Sequence, residues 1–134
     1  MDSMDPGYRT PLRRARGLGA AKHGVEVWIA ERVTSIALVP LVLWGVYSVV
    51  TIAGAGYDGA VDWLQNPINA VLLALLLGIS FHHTEMGMRV IIEDYIHKTT
   101  TKFILLLLNS AVAWLFGALA IFAVLKVAVG GLGD

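Results

Sequence analysis

The side chains able to do chemistry in this chain crowd into one stretch, residues 81–98, which reads FHHTEMGMRVIIEDYIHK. Two adjacent imidazoles, His82 and His83, can ligate a metal or pass a proton. Glu85 and Arg89 stand four apart, the spacing of a helical ion pair, and Asp94 sets a carboxylate beside the phenol of Tyr95. Their setting makes them expensive. The run without charge or histidine that leads into them, 68–81, has fourteen residues; at about 1.5 Å each it falls short of a hydrocarbon core of about 30 Å. The helix must therefore continue through His82, His83, Glu85 and Arg89 before leaving the membrane. An ionisable group at that depth costs roughly 2.5–3.5 kcal/mol on insertion scales, so such groups face protein, a cofactor or a water-filled cavity rather than lipid.

At about 100° per residue, Gly87, Val90 and Asp94 fall within roughly 40° of His83 and form one stripe with it. His82, Glu85, Arg89 and Glu93 share a second face, about 100° or more away, so the two histidines cannot serve the same point. For Glu85 and Arg89 the plainest role is an ion pair or a contact with a polar group of a partner chain. His83 carries two readings: a buried, hydrogen-bonded histidine, or the ligand of a haem iron, for which Gly87 one turn on leaves room for a flat macrocycle against the backbone. The other two apolar runs hold no histidine, so a six-coordinate haem would take its opposite ligand from another polypeptide. Tyr95 is either an interfacial anchor or, with Asp94, a hydrogen-bond donor and proton route for a small head group such as a quinone carbonyl. Arg32 either snorkels to lipid phosphates or binds a propionate through charge-assisted hydrogen bonds.

The elements that must position these groups are helices in a bilayer. With 57% hydrophobic residues in 134 and a mean hydropathy of +0.70, the chain is too apolar for a soluble domain of its size and too short for a large transporter. It has no cysteine, which removes disulfides, thiolate metal sites and iron–sulfur ligation by this chain; redox chemistry needs a bound cofactor or another subunit. Residues 33–53 are uncharged over twenty-one positions and 103–125 over twenty-three, each enough to cross. The expected fold is all-α: an integral membrane bundle of three transmembrane helices over 25–130, with spans at about 29–53, 67–93 and 102–127. Pro40 is expected to kink the first span and 54–66 to form a polar turn. Two small-residue ridges, Ala70, Ala74 and Gly78 in the second span and Ala113 and Gly117 in the third, let helices approach closely.

Residues 1–24 are basic and rich in Gly and Pro, with no signal-peptide pattern. They read as an uncleaved cytoplasmic tail, held on anionic lipid or docked on a soluble partner; the two early aspartates fit a mitochondrial targeting peptide less well. Positive charge lies in this tail and in the 94–102 loop, which carries Lys98 and Lys102, and is absent from the first connection. The positive-inside rule then puts the N-terminus in the cytoplasm and the C-terminus in the periplasm.

Arg32-Val33-Thr34 at the first span, His83 followed four residues on by Gly87-Met88, and Asp94-Tyr95 at the end of the same helix make a combination that resembles the membrane-anchor D subunits of succinate dehydrogenase, or respiratory complex II. The similarity covers roughly residues 20–128, and His82 and Glu85 fall outside its pattern. It implies that His83 is an axial ligand of haem b beside Gly87, with the other ligand from a cytochrome b556-type C subunit, and that Arg32 contacts a propionate. It further implies that Tyr95 donates to a ubiquinone carbonyl with Asp94 beside it, and that an iron–sulfur subunit docks over the 94–102 loop and delivers electrons from a flavoprotein subunit. Membrane lipid is the remaining partner, and no nucleic acid is expected. The bacterial inner membrane is the implied location, with the mitochondrial inner membrane as the second choice. The rival readings are a b-haem subunit of another membrane oxidoreductase, such as a quinol:fumarate reductase, and a cofactor-free structural membrane subunit.

Overall fold

The computed structural model describes residues 24–130; the tail expected over 1–24 lies outside the described residues except for Gly24. Four helices follow one another: α1 (Gly24–Ile52), α2 (Gly56–Gln65), α3 (Pro67–Tyr95) and α4 (Thr99–Gly130), with no strand among the described residues. Three of them, α1, α3 and α4, are long and apolar enough to cross a membrane, so the chain is an all-α membrane protein with three spanning helices. Their 29, 29 and 32 residues reach about 43–48 Å at 1.5 Å per residue, which leaves the polar ends in the headgroup region. In α1 the stretch 26–32 forms the first helical turns, and the helix runs on through Pro40 without a break in its assignment.

The connection expected as a polar turn is instead the ten-residue helix α2. Gly56 has φ of 68°, a left-handed conformation that suits a residue without a Cβ, and it turns the chain between α1 and α2. From there Ala60, Val61, Trp63 and Leu64 recur at helical spacing and are half-buried, whereas Tyr57, Asp58 and Asp62 are exposed. That division is an amphipathic face, which Gly54, Gly56, Gly59 and Pro67 conceal when the stretch is read for helix breakers. Trp63 stacks on Trp44 of α1 with ring centroids 5.7 Å apart. The corner into α3 is closed by Asn66, whose side chain accepts from the Ile68 N–H at 3.0 Å, with Pro67 in the first turn where its missing N–H is harmless. Asn69 Nδ2 then donates back to the Trp63 carbonyl at 2.9 Å.

Helix α3 lies between the other two spans. It packs against both α1 and α4, and among the described residues α1 and α4 have no Cα pair within 8 Å. Small residues set the approach, as membrane helices require when lipid is as apolar as leucine. A Cβ added at Gly45 would stand 2.9 Å from Leu76 Cδ2, one at Gly78 3.5 Å from Ile121 Cδ1, and one at Gly117 3.3 Å from Phe81 Cβ. Gly78 and Gly117 stand at these seams, so members of both expected ridges lie where helices meet.

Polar groups join α3 to α4 as well. Glu85, 5% exposed, accepts at Oε1 from Arg89 Nη2 at 2.7 Å and from Ser110 Oγ at 2.8 Å. Its main-chain carbonyl also accepts from Asn109 Nδ2 at 2.9 Å. The open choice for Glu85 and Arg89 thus resolves into an ion pair within α3, extended by two donors from α4. At the far end Lys102 Nζ donates to the Glu93 carbonyl at 2.8 Å, filling one of the acceptors that the last turn of a helix leaves unpaired.

Three substitutions test these seams. Gly117→Leu drives a branched side chain into the stem of Phe81 and should cost about 1–3 kcal/mol, seen as earlier loss of helical signal on heating in detergent. Gly45→Ala meets only the swinging methyl of Leu76 and should cost far less. Ser110→Ala should cost about 0.6–1.7 kcal/mol, from the average to the largest value found for hydrogen bonds between membrane helices; an unchanged midpoint would show that Arg89 alone satisfies Glu85.

Candidate functional site

The successive histidines of α3 address different neighbours, as their angular separation requires. His83 turns to α1, where its Nδ1 lies 3.0 Å from Thr34 Oγ1. The same hydroxyl lies 2.8 Å from the Ala30 carbonyl and 3.0 Å from that of Glu31, the bond to the preceding turn that helical threonines favour. Ser35 beside it donates to the Glu31 carbonyl at 2.8 Å. His83 is half-buried and borders an open hollow of about 410 Å³ whose other walls are Ser35, Leu38, Val39, Val42 and Leu43.

A second hollow, of about 510 Å³, continues toward the start of α1 between Trp28, Glu31, Arg32, Ser35 and Ile36. Ser35 lines both, so the Arg32 end and the His83 end adjoin along one side of α1. Arg32 holds its guanidinium carbon 5.1 Å from the centroid of the Trp28 ring, a cation–π contact that leaves its N–H groups available at the rim. Gly87, one turn beyond His83, has nothing within 4 Å of where a Cβ would stand.

His82 faces the opposite way. It is exposed, its ring centroid lies 6.5 Å from that of Trp114 on α4, and it shares with Glu85, Phe81, Gly78 and Gly117 a narrow cavity of about 210 Å³ between α3 and α4. Asp94 and Tyr95 belong to neither place. They are the last residues of α3, Tyr95 being 77% exposed, and lie about 16–18 Å along the helix from His83. The structure therefore brings Arg32 and His83 to one side of α1, leaves Gly87 open on the next turn, and sets Asp94 and Tyr95 apart at the helix end. Among the described residues no three of His, Cys, Asp and Glu are placed to hold a metal together.

Sequence reasoning gave the pair Thr34 and Ser35 no role beyond the place of Thr34 in the Arg32-Val33-Thr34 element, and passed over the pair Asn109 and Ser110. The signal for the second pair was available: the two stand side by side within the uncharged run 103–125, at the level where α3 carries Glu85. Polar side chains in a spanning helix face a partner, and an adjacent polar pair opposite a carboxylate names it.

Comparison with known proteins agrees with this arrangement. Residues 6–125 match the family described as Succinate dehydrogenase/Fumarate reductase transmembrane subunit. Among curated proteins the chain is similar to the succinate dehydrogenase hydrophobic membrane anchor subunits of Rickettsia conorii, 34% identical over 74% of this chain and 81% of that one, and of Rickettsia bellii, 37% identical over 69% and 74%. The corresponding subunit of Paracoccus denitrificans is 26% identical over 93% of this chain and 96% of its own. No solved structure matches significantly. With three spanning helices and a match over most of its length, the chain belongs to the succinate dehydrogenase/fumarate reductase transmembrane subunit family, among the hydrophobic membrane anchors of succinate dehydrogenase.

Proposed function

We propose that this chain fixes the flavoprotein and iron–sulfur subunits of succinate dehydrogenase to the bacterial inner membrane, holds haem b jointly with a cytochrome b556-type subunit, and forms part of the ubiquinone-reduction site. The observation that carries the reading is the setting of His83: an imidazole within a membrane span, hydrogen-bonded at Nδ1 to Thr34 and bordering an open hollow. With Nδ1 engaged, Nε2 is the nitrogen left to ligate iron. The residues present fit the group. The space beside Gly87 is open, and Arg32 stands where the hollow reaches the start of α1, suited to a propionate. The helices α1 and α4 contain no histidine, so a second histidine ligand to the iron would come from the companion subunit.

Haem b, when bound, supplies a one-electron carrier within the bilayer. This chain's own contribution is to orient and to exchange protons. Tyr95 donates a hydrogen bond to a ubiquinone carbonyl, and Asp94 next to it relays the two protons taken up from the aqueous side as the iron–sulfur subunit delivers the two electrons that make the quinol. Their exposed position at the end of α3, beside a short loop with Lys98 and Lys102, suits a pocket completed by the iron–sulfur subunit on the cytoplasmic face. Under this reading the N-terminus is cytoplasmic and the C-terminus periplasmic. Succinate is oxidised on the flavoprotein, and no complete active site belongs to this chain. The family also includes fumarate reductases, but the relatives named above are succinate dehydrogenase subunits, which favours quinone reduction as the working direction.

In the purified complex, His83→Ala should abolish or weaken the reduced haem b bands while His82→Ala keeps them; the reverse would move the ligand to His82, and a featureless spectrum of the unsubstituted complex would remove haem from the proposal. Tyr95→Phe should slow succinate-dependent quinone reduction by about tenfold or more, with the complex assembled, since a positioned hydrogen-bond donor is lost. Unchanged turnover would make Tyr95 an interfacial anchor alone.

A further inference from the structure

The Thr34 hydroxyl has three neighbours within hydrogen-bond distance, the carbonyls of Ala30 and Glu31 and Nδ1 of His83, and only one hydrogen to give. Carbonyl oxygens can only accept. The shortest contact, 2.8 Å to Ala30, and the helical rotamer that brings it about direct that hydrogen into the turn below. The lone pairs of Oγ1 are then what His83 meets. A bare Nδ1 at 3.0 Å would set lone pair against lone pair, whereas a protonated Nδ1 donates to the hydroxyl and completes both groups. The neutral ring is therefore the tautomer with its hydrogen on Nδ1 and its lone pair on Nε2. Ser35 makes a similar bond to the turn below, yet among the described residues only Thr34 has its hydroxyl against the imidazole.

We infer that Thr34 is a positioning residue for the haem ligand: it selects the His83 tautomer whose Nε2 can coordinate iron, fixes the plane of the ring, and makes that nitrogen a stronger donor by accepting the hydrogen on Nδ1. The inference rests on His83 being the ligand. It adds that this chain prepares the ligand from its own first helix. Because Thr34 and Arg32 lie within one turn of α1, the same turn that offers a cation at one end of the hollow tunes the imidazole at the other. A hydroxyl that is itself occupied as a donor can only accept from the ring, so the device works in one sense.

The test compares the holo-complex carrying Thr34→Val, which keeps the shape of the side chain and removes the acceptor, with Thr34→Ser, which keeps the hydroxyl. Thr34→Val should release haem about 10- to 100-fold more readily, the usual loss on removing a partner behind a metal-bound histidine. It should also raise the haem midpoint potential, since a less electron-rich imidazole stabilises ferric iron less, and Thr34→Ser should restore both values. Haem retention and potential in Thr34→Val equal to those of the unsubstituted complex would overturn the role. If Thr34→Val does not assemble, the unsubstituted complex labelled with ¹⁵N-histidine decides instead. In its reduced, diamagnetic form the His83 Nδ1–H should show the downfield proton of a hydrogen-bonded group, and an unbonded proton there overturns the inference. Loss of haem in His82→Ala, or its retention in His83→Ala, would sink the ligand assignment and is a separate outcome.

Discussion

A polar side chain inside a bilayer has no water to fall back on, and the arrangement of this chain follows from how α3 meets that constraint. One helix carries two histidines, a glutamate and an arginine across the depth of the membrane, and each must find protein or a cavity. Glu85 finds Arg89 on its own helix and Ser110 on α4; His83 finds Thr34 on α1. Because these groups point to different sides of α3, that helix must stand in the middle with one span against each side. The absence of close approach between α1 and α4 is the geometric result.

The same economy explains how little the chain buries by itself. Among the described residues only Ala70, Met86, Ile92 and Val124 are buried apolar side chains, while Ile36, Leu43, Val50, Trp114 and Phe122 are largely exposed. In water such a surface would collapse. In a bilayer it is solvated by acyl chains, and cohesion comes from close packing at Gly45, Gly78 and Gly117 and from a few hydrogen bonds. A row of three helices also leaves the seam beside His83 half-open.

The spans were legible in the sequence because length and charge decide them, and so was the separation of His82 from His83, because helical geometry fixes the angle between neighbouring residues. The opposite sides those rings reach in the structure, Trp114 for one and Thr34 for the other, follow from that angle. Helix α2 was not legible: its glycines and Pro67 read as turn residues, and the amphipathic face of Ala60, Val61, Trp63 and Leu64 acquires meaning only once α1 and α3 are there to receive it. Thr34 was hidden for a related reason. A hydroxyl one turn into a span is ordinary until a second helix, 49 positions later in the chain, sets an imidazole against it. Long-range pairings of this kind leave no periodic mark.

The two seams on α3 draw on separate sets of contacts, with Thr34 and the open hollow on one flank and Ser110, Asn109 and Gly117 on the other. Changes at sites that share no partner and lie more than about 7–10 Å apart combine additively to within a few tenths of a kcal/mol. Substitutions on the α4 flank should therefore combine almost additively with those on the His83 flank, and drift in the last third of such anchors need not be matched by compensating drift in the first.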